Sequence, residues 1–451
     1  MAVEASDLDY RTRTRSGCIP PELVSRLLER GEVDVVELQA GRGEWFCALA
    51  WAGLLDEQRR QADALEVLSP YVETGWWTAV VATAELLESW GRVGEAIEIT
   101  RVRMEAGHPM ALESYTRLLA RHGRADEAFA LLRPHIDEPT LARALVDVAE
   151  GAGRDEETAA LLAARIPDGH RCESPWCCRG LDPDTAFGLL ATIRERQGRI
   201  DEAIDLLRTR TTTSVNGRDQ LADLLARHHR TEDLRAYAAA EGLGHARWRL
   251  VEVLEQRGDI EGAIAACRQA GRPMAPDPKS AVQLAQLLAR HGRGNEAIDV
   301  MCALADARNG DDWTLHTLSD LYLDDGRPGD GLAYLDTLAA TRGGEEDWDL
   351  YWIRLPLIAA LDGVDAAIAQ ARSHPEGTTW YASSHIADLL AGAGRIEEAV
   401  MVLEEHPQNS RDLAGYLIDL GRVQEALALL QRRRLRTPEL WNGPRYDDPP
   451  F

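Results

Sequence analysis

Four side chains able to bind a soft metal or carry redox chemistry, His170, Cys172, Cys177 and Cys178, fall within nine positions of one another. Zinc takes four such ligands in a tetrahedron, normally from paired spacings presented by two tight turns, whereas the adjacent Cys177 and Cys178 point in different directions. The surrounding stretch RIPDGHRCESPWCCRGL, here taken as an insertion over 167–181, has three readings: a plain packed loop anchored by Trp176, a redox or disulfide loop, or a zinc site. The packed loop is preferred, so no cofactor and no metal is assigned. His228-His229 is the one adjacent histidine pair, and its position at a break between two apolar stripes reads as a solvated turn in preference to a ligand pair. Paired acids such as Glu397-Glu398 open a helical stripe and read as first-turn charges favoured by the helix dipole, not as a catalytic dyad. Nucleophile elbows, phosphate loops, paired zinc histidines and dinucleotide glycine patterns are all missing, and the glycines follow helical stripes, never strands. No catalytic residue is assigned, and an enzyme is not expected.

The elements that carry these residues repeat. A phrase of glycine, a basic residue, two variable residues, an acid and a small residue recurs as GRVGEAI at Gly91, GRADEAF at Gly123, GRIDEAI at Gly198, GRGNEAI at Gly292, GRIEEAV at Gly394 and GRVQEAL at Gly421. Weaker copies stand at Gly153, Gly258 and Gly326, with glycine-less or shifted ones near Arg59, His229 and Asp362. From position 91 the marks are spaced by 32, 30, 45, 31, 29, 34, 34, 36, 32 and 27 residues, close to one helical hairpin each except for the step that holds the insertion. An apolar stripe at helical spacing precedes each mark and a second follows it. The glycine suits a direct turn from one helix into the next, which needs positive φ. The alanine five residues after it (Ala96, Ala128, Ala203, Ala263, Ala297, Ala399, Ala426) and the small residue seven before it (such as Ala191, Ala285 and Ala387) would let the two helices approach closely. Asp182-Pro183 and Asp277-Pro278 supply capping carboxylates ahead of a first-turn proline.

The phrase, its near-34 period and its small-residue positions resemble the tetratricopeptide repeat (TPR) family over roughly residues 50–435. The resemblance implies an all-α, right-handed α-solenoid of about 12 helix-turn-helix repeats, whose first helices line a concave ligand-binding groove. In that family, groove-facing side chains lie at set distances before the turn glycine. Six before the mark stand Glu85, Arg117, Asp147, Thr192, Asp223, Glu252, Gln286, Asp320, Pro356, Asp388 and Gly415; six of these eleven are acids, which sets the expected charge of the wall. Ten and thirteen before it the middle and C-terminal repeats place Trp248, Trp313, His316, Trp352 and Tyr381. Asp223, Glu252, Asp320 and Asp388 with these aromatics are the expected partner-binding set. Carboxylates beside aromatic faces suit an Arg- or Lys-containing protein or peptide. The competing reading is that these are ordinary surface acids and core tryptophans.

Composition sets the outer limits. Seventy-five acidic residues against 50 basic give a net charge of −25, a field that repels phosphate backbones and anionic lipid surfaces, so neither nucleic acid nor membrane is an expected partner. With no signal-like leader and no run of 18 apolar residues, a cytoplasmic location is expected. Seven cysteines spread through a long chain are expected to be mostly reduced and buried. Residues 1–17 read as a flexible tail, 18–437 as the repeat array and 438–451 as a proline-rich tail. Each hairpin is expected to touch only its neighbours. The function expected is a non-catalytic scaffold or adaptor. The alternative is a regulatory or sensor module of a signalling or transcription system, with a small metal or redox site in the 167–181 loop as a weaker third reading.

Overall fold

The computed structural model describes residues 4–166, 180–210, 214–215, 218–240, 244–268, 278–308, 310–342 and 347–432. The whole 167–179 portion of the insertion and the expected C-terminal tail thus lie outside the described residues, as does the Asp277 cap. Among the described residues twenty-eight α-helices follow one another, and the strand structure is one antiparallel pair, Ser214–Val215 with Arg218–Asp219. The protein is an all-α helical-repeat solenoid.

The chain forms two compact units, residues 93–345 and a discontinuous one of residues 1–92 with 346–451. In the first, helix Val93–Glu105 is followed by seven hairpins: Ala111–Arg121 with Ala125–Leu132, Pro139–Gly151 with Asp155–Ala163, Pro183–Arg196 with Ile200–Arg208, Gln220–Arg227 with Thr231–Ala240, His245–Gln256 with Ile260–Arg268, Pro278–Arg290 with Gly294–Ala307, and Asp312–Asp324 with Pro328–Thr341. The other unit contains Ala5–Thr14, the hairpins Pro21–Glu29 with Val33–Gly41 and Trp45–Glu57 with Gln61–Glu73, and Trp77–Ser89. Its C-terminal part continues with Trp348–Tyr351 and Arg354–Asp362 before Val364–Ser373, then Trp380–Gly392 with Ile396–Glu404 and Ser410–Asp419 with Val423–Arg432. Pro356 accounts for the break after Tyr351, because it has no N–H to donate to the carbonyl one turn back.

The turns are built as their residues require. Each turn glycine takes positive φ, for example 79° at Gly123 and 77° at Gly394, and the N–H of the following basic residue bonds back five residues, as Arg124 to Leu119 and Arg395 to Leu390, both at 2.9 Å. Where the phrase lacks glycine, Arg59 and His229 are forced into the same left-handed conformation, at φ 61° and 57°. All seven alanines five residues after the marks are fully buried, as are Thr116, Ala191, Ala285, Ala387 and Ala414 seven before. Small side chains here bring the helix backbones together while leucines fill the seam.

The basic residue and acid of the phrase pair with each other and with the preceding repeat. Arg293 bonds Glu296 at 2.7 Å and Glu261 at 2.8 Å; Arg395 bonds Glu398 at 2.6 Å and Asp365 at 2.5 Å; Arg230 bonds Asp233 and Asp201, both at 2.7 Å. The hydrogen bonds from these guanidinium groups hold the carboxyls of Glu296 and Glu398 below their ordinary range. The acids of the phrase are thus rungs of an inter-repeat ladder, a more specific role than dipole compensation.

Two expectations are overturned at the chain ends. Residues 5–14 are a helix and not a tail: Leu8 is buried, and Arg11 reaches the buried carboxylate of Glu44 through two 3.3 Å contacts. Nor does every hairpin touch only its sequence neighbours, because Pro21–Glu29 packs on Ser410–Asp419. Arg26 and Arg30 each approach Asp419 at 3.5 Å, Arg411 approaches Glu22 at 3.7 Å, and Gly415 leaves room for the side chains of Arg26 and Leu23. Gly415, at the position before the last mark expected to face a ligand, is covered by helix Pro21–Glu29.

Candidate functional site

The nine expected partner-binding residues fall into three groups. On His245–Gln256, Trp248 is 41% exposed, a large apolar surface left in water by a helix that otherwise buries its apolar residues. The next residue, Arg249, lies 3.1 Å from Asp223 and donates to Glu252 at 2.7 Å. Both acids therefore already carry an internal counter-ion. In the same unit, Trp313 is 48% exposed in the first turn of Asp312–Asp324. His316 and Asp320 meet at 3.1 Å one turn further on, and among the described residues no arginine pairs with Asp320.

The third group lies on Trp348–Tyr351, Arg354–Asp362 and Trp380–Gly392. Trp352 lies flat on the imidazole of His385, with centroids 4.3 Å apart and planes within 3°. Trp348, four residues earlier and fully buried, donates its indole N–H to His385 Nδ1 at 2.9 Å. Asp388, one turn beyond His385, accepts the hydroxyl of Tyr416 at 2.8 Å. Tyr381 turns its hydroxyl to Glu376, which also accepts the backbone N–H of Trp348 at 3.2 Å. Trp352, Leu355, Pro356, His385, Asp388 and Leu389 line a cavity of about 360 Å³, within the size range of small-ligand sites. Sequence reasoning missed Trp348, His385 and Tyr416. Their signal was helical spacing alone, four residues before Trp352, three before Asp388 and one turn of the next first helix.

Burial pushes the His385 imidazole below its ordinary value of 6.5, against the opposing pull of Asp388 and Asp349. A base whose folded pKa is depressed contributes its full stability above 6.5. As the pH falls below 6.5 the unfolded chain takes up a proton that the folded chain refuses, and stability drops until the lower folded pKa is passed. The melting temperature should therefore fall more between pH 7.5 and 5.5 for wild type than for His385→Gln. Equal falls would show that His385 titrates freely.

Two buried thiols among the described residues are held in the protonated form. Burial raises the thiol of Cys47 to about 12 and that of Cys267 to about 11, so neither supplies thiolate at neutral pH. Cys18, Cys47, Cys267 and Cys302 are not joined in disulfides. Among the described residues no group of three His, Cys, Asp or Glu side chains could hold a metal ion, and no helix is long and apolar enough to cross a membrane. His170, Cys172, Cys177 and Cys178 lie outside the described residues. His228 contacts Glu195 at 2.9 Å and His229 lies 3.2 Å from Arg257, so the pair points to separate partners.

No family model matches the chain, and no curated protein matches it. Among solved structures it is similar to the complex of Naa15/Naa10 bound to HypK-THB, at 10% identity over 95% of this chain and 76% of that one, with a TM-score of 0.38. It is also similar to the APC/C hetero-tetramer Cut9-Hcn1, at 11% identity over 78% of this chain and 77% of that one, with a TM-score of 0.25. The helical-repeat character of the fold rests on the chain's own turn marks, buried small residues and stacked hairpins.

Proposed function

We propose that this protein is a non-catalytic interaction scaffold that holds a protein or peptide partner on its first helices. The observation that carries this reading is the exposure of Trp248 and Trp313, at 41% and 48%, on helices whose other large apolar residues are buried or, at Leu323, half-buried. Exposed tryptophan is costly in water and is a frequent anchor of protein interfaces. Asp320, without an arginine partner among the described residues, adds a local charge that favours a basic segment beside Trp313.

The test is capture of a partner from the native host, followed by titration of that purified partner. Trp248→Ala with Trp313→Ala should weaken binding by at least about 30-fold, the effect of losing roughly 2 kcal/mol at an anchor, while the melting temperature stays close to wild type. Unchanged affinity would assign both tryptophans to ordinary surface.

A further inference from the structure

We propose that the cavity beside Trp352 receives the side chain of a lysine or arginine from the partner, its methylenes on the apolar walls and its cationic head at Asp388. This rests on the scaffold reading above but concerns a separate surface. Leu355, Pro356, Val364 and Leu389 form walls that favour an aliphatic stem, and Asp388 is the one charged carboxylate among the lining residues. No lysine or arginine lines the cavity. Several acids of the array are answered internally by arginine: Asp365 and Glu398 by Arg395, Asp223 by Arg249. Asp388 instead holds a neutral phenol, that of Tyr416, on one oxygen. Among the described residues no guanidinium pairs with it.

His385 does not supply the missing charge. Its Nδ1 accepts the Trp348 N–H, which places the neutral ring's proton on Nε2, and burial favours that neutral form. An anion in the cavity would meet Asp388 and a chain of net charge −25. A purely apolar ligand would cover the carboxylate without replacing its water, at a cost in free energy. A cation on a short aliphatic stem satisfies both the walls and the charge.

Four probes with one stem and different heads separate these possibilities: n-butylammonium, n-butylguanidinium, n-butanol and n-butyrate. Each is titrated into the full chain while the Trp352 indole N–H resonance, assigned by its loss in Trp352→Phe, is followed by NMR. Both cations should shift it saturably and bind about tenfold or more tightly than butanol, as expected for one charge-assisted hydrogen bond. Butyrate should not bind. Asp388→Asn, which keeps shape and can still accept from Tyr416, should reduce the cations to the level of butanol without lowering the melting temperature. Ala393→Leu, which adds bulk at an exposed rim residue, should abolish all three shifts. Butanol matching the cations, a cation preference that survives Asp388→Asn, or no shift with any probe would each overturn the proposal. Those results leave the scaffold reading intact, since it stands or falls on Trp248 and Trp313.

Discussion

Arg11→Ala should remove the protection of the helix Ala5–Thr14 against hydrogen exchange and destabilise its docking by about 3–5 kcal/mol, the cost of leaving a buried carboxylate without its partner. Glu44 is almost entirely out of water, accepts two contacts from Arg11 at 3.3 Å, and takes the backbone N–H of Ile19 at 3.1 Å. With the guanidinium gone, the carboxylate must either stay buried without that counter-charge or be rehydrated by release of the helix. Either response exposes Leu8. Exchange measured by mass spectrometry over residues 5–14, together with urea unfolding, reads both. Unchanged protection in the variant would show that docking does not depend on Arg11, and no protection in wild type would return this segment to the flexible tail that its sequence suggests.

The second large effect is expected at Trp348. Trp348→Ala should cost about 3–5 kcal/mol in the unit that contains it, from lost burial and the hole left behind. Its ring is 1% exposed and packs edge-on to His374 at 5.4 Å and beside Tyr351 at 5.9 Å. Trp348→Phe keeps most of that packing but removes the donor to His385 Nδ1, so it should cost about 1–2 kcal/mol. The two variants separate packing from hydrogen bonding. An alanine variant that unfolds at the same urea concentration as wild type would show that Trp348 does not occupy this core.

These two residues mark where sequence reasoning stopped. Trp348 and Trp352 are both tryptophans on the first-helix side of one mark, and counting back from Asp362 selected Trp352 as the partner-facing one. The structure keeps it partly exposed, and it is Trp348 that fills the core. Spacing could find this because four residues on a helix return to nearly the same face only approximately. It could not find that Trp352 rests on His385, since that stack joins helices from two different repeats.

The repeat itself was legible for a local reason. A turn residue that must take positive φ, an N–H that closes the helix end five residues back and a small residue at the helix crossing all act within one hairpin, so their spacing is written in the chain. Even the marks without glycine, Arg59 and His229, hold the same conformation. The sequence by itself therefore determined the all-α repeat architecture and its helix seams. The tertiary structure alone decided which charges are already answered: Asp223 and Glu252 share Arg249, the phrase acids answer arginines of the next repeat, and Gly415 faces Arg26 at the other end of the chain. A carboxylate's partner is whatever a neighbouring element brings within about 4 Å, and no local periodicity specifies that neighbour's side chain.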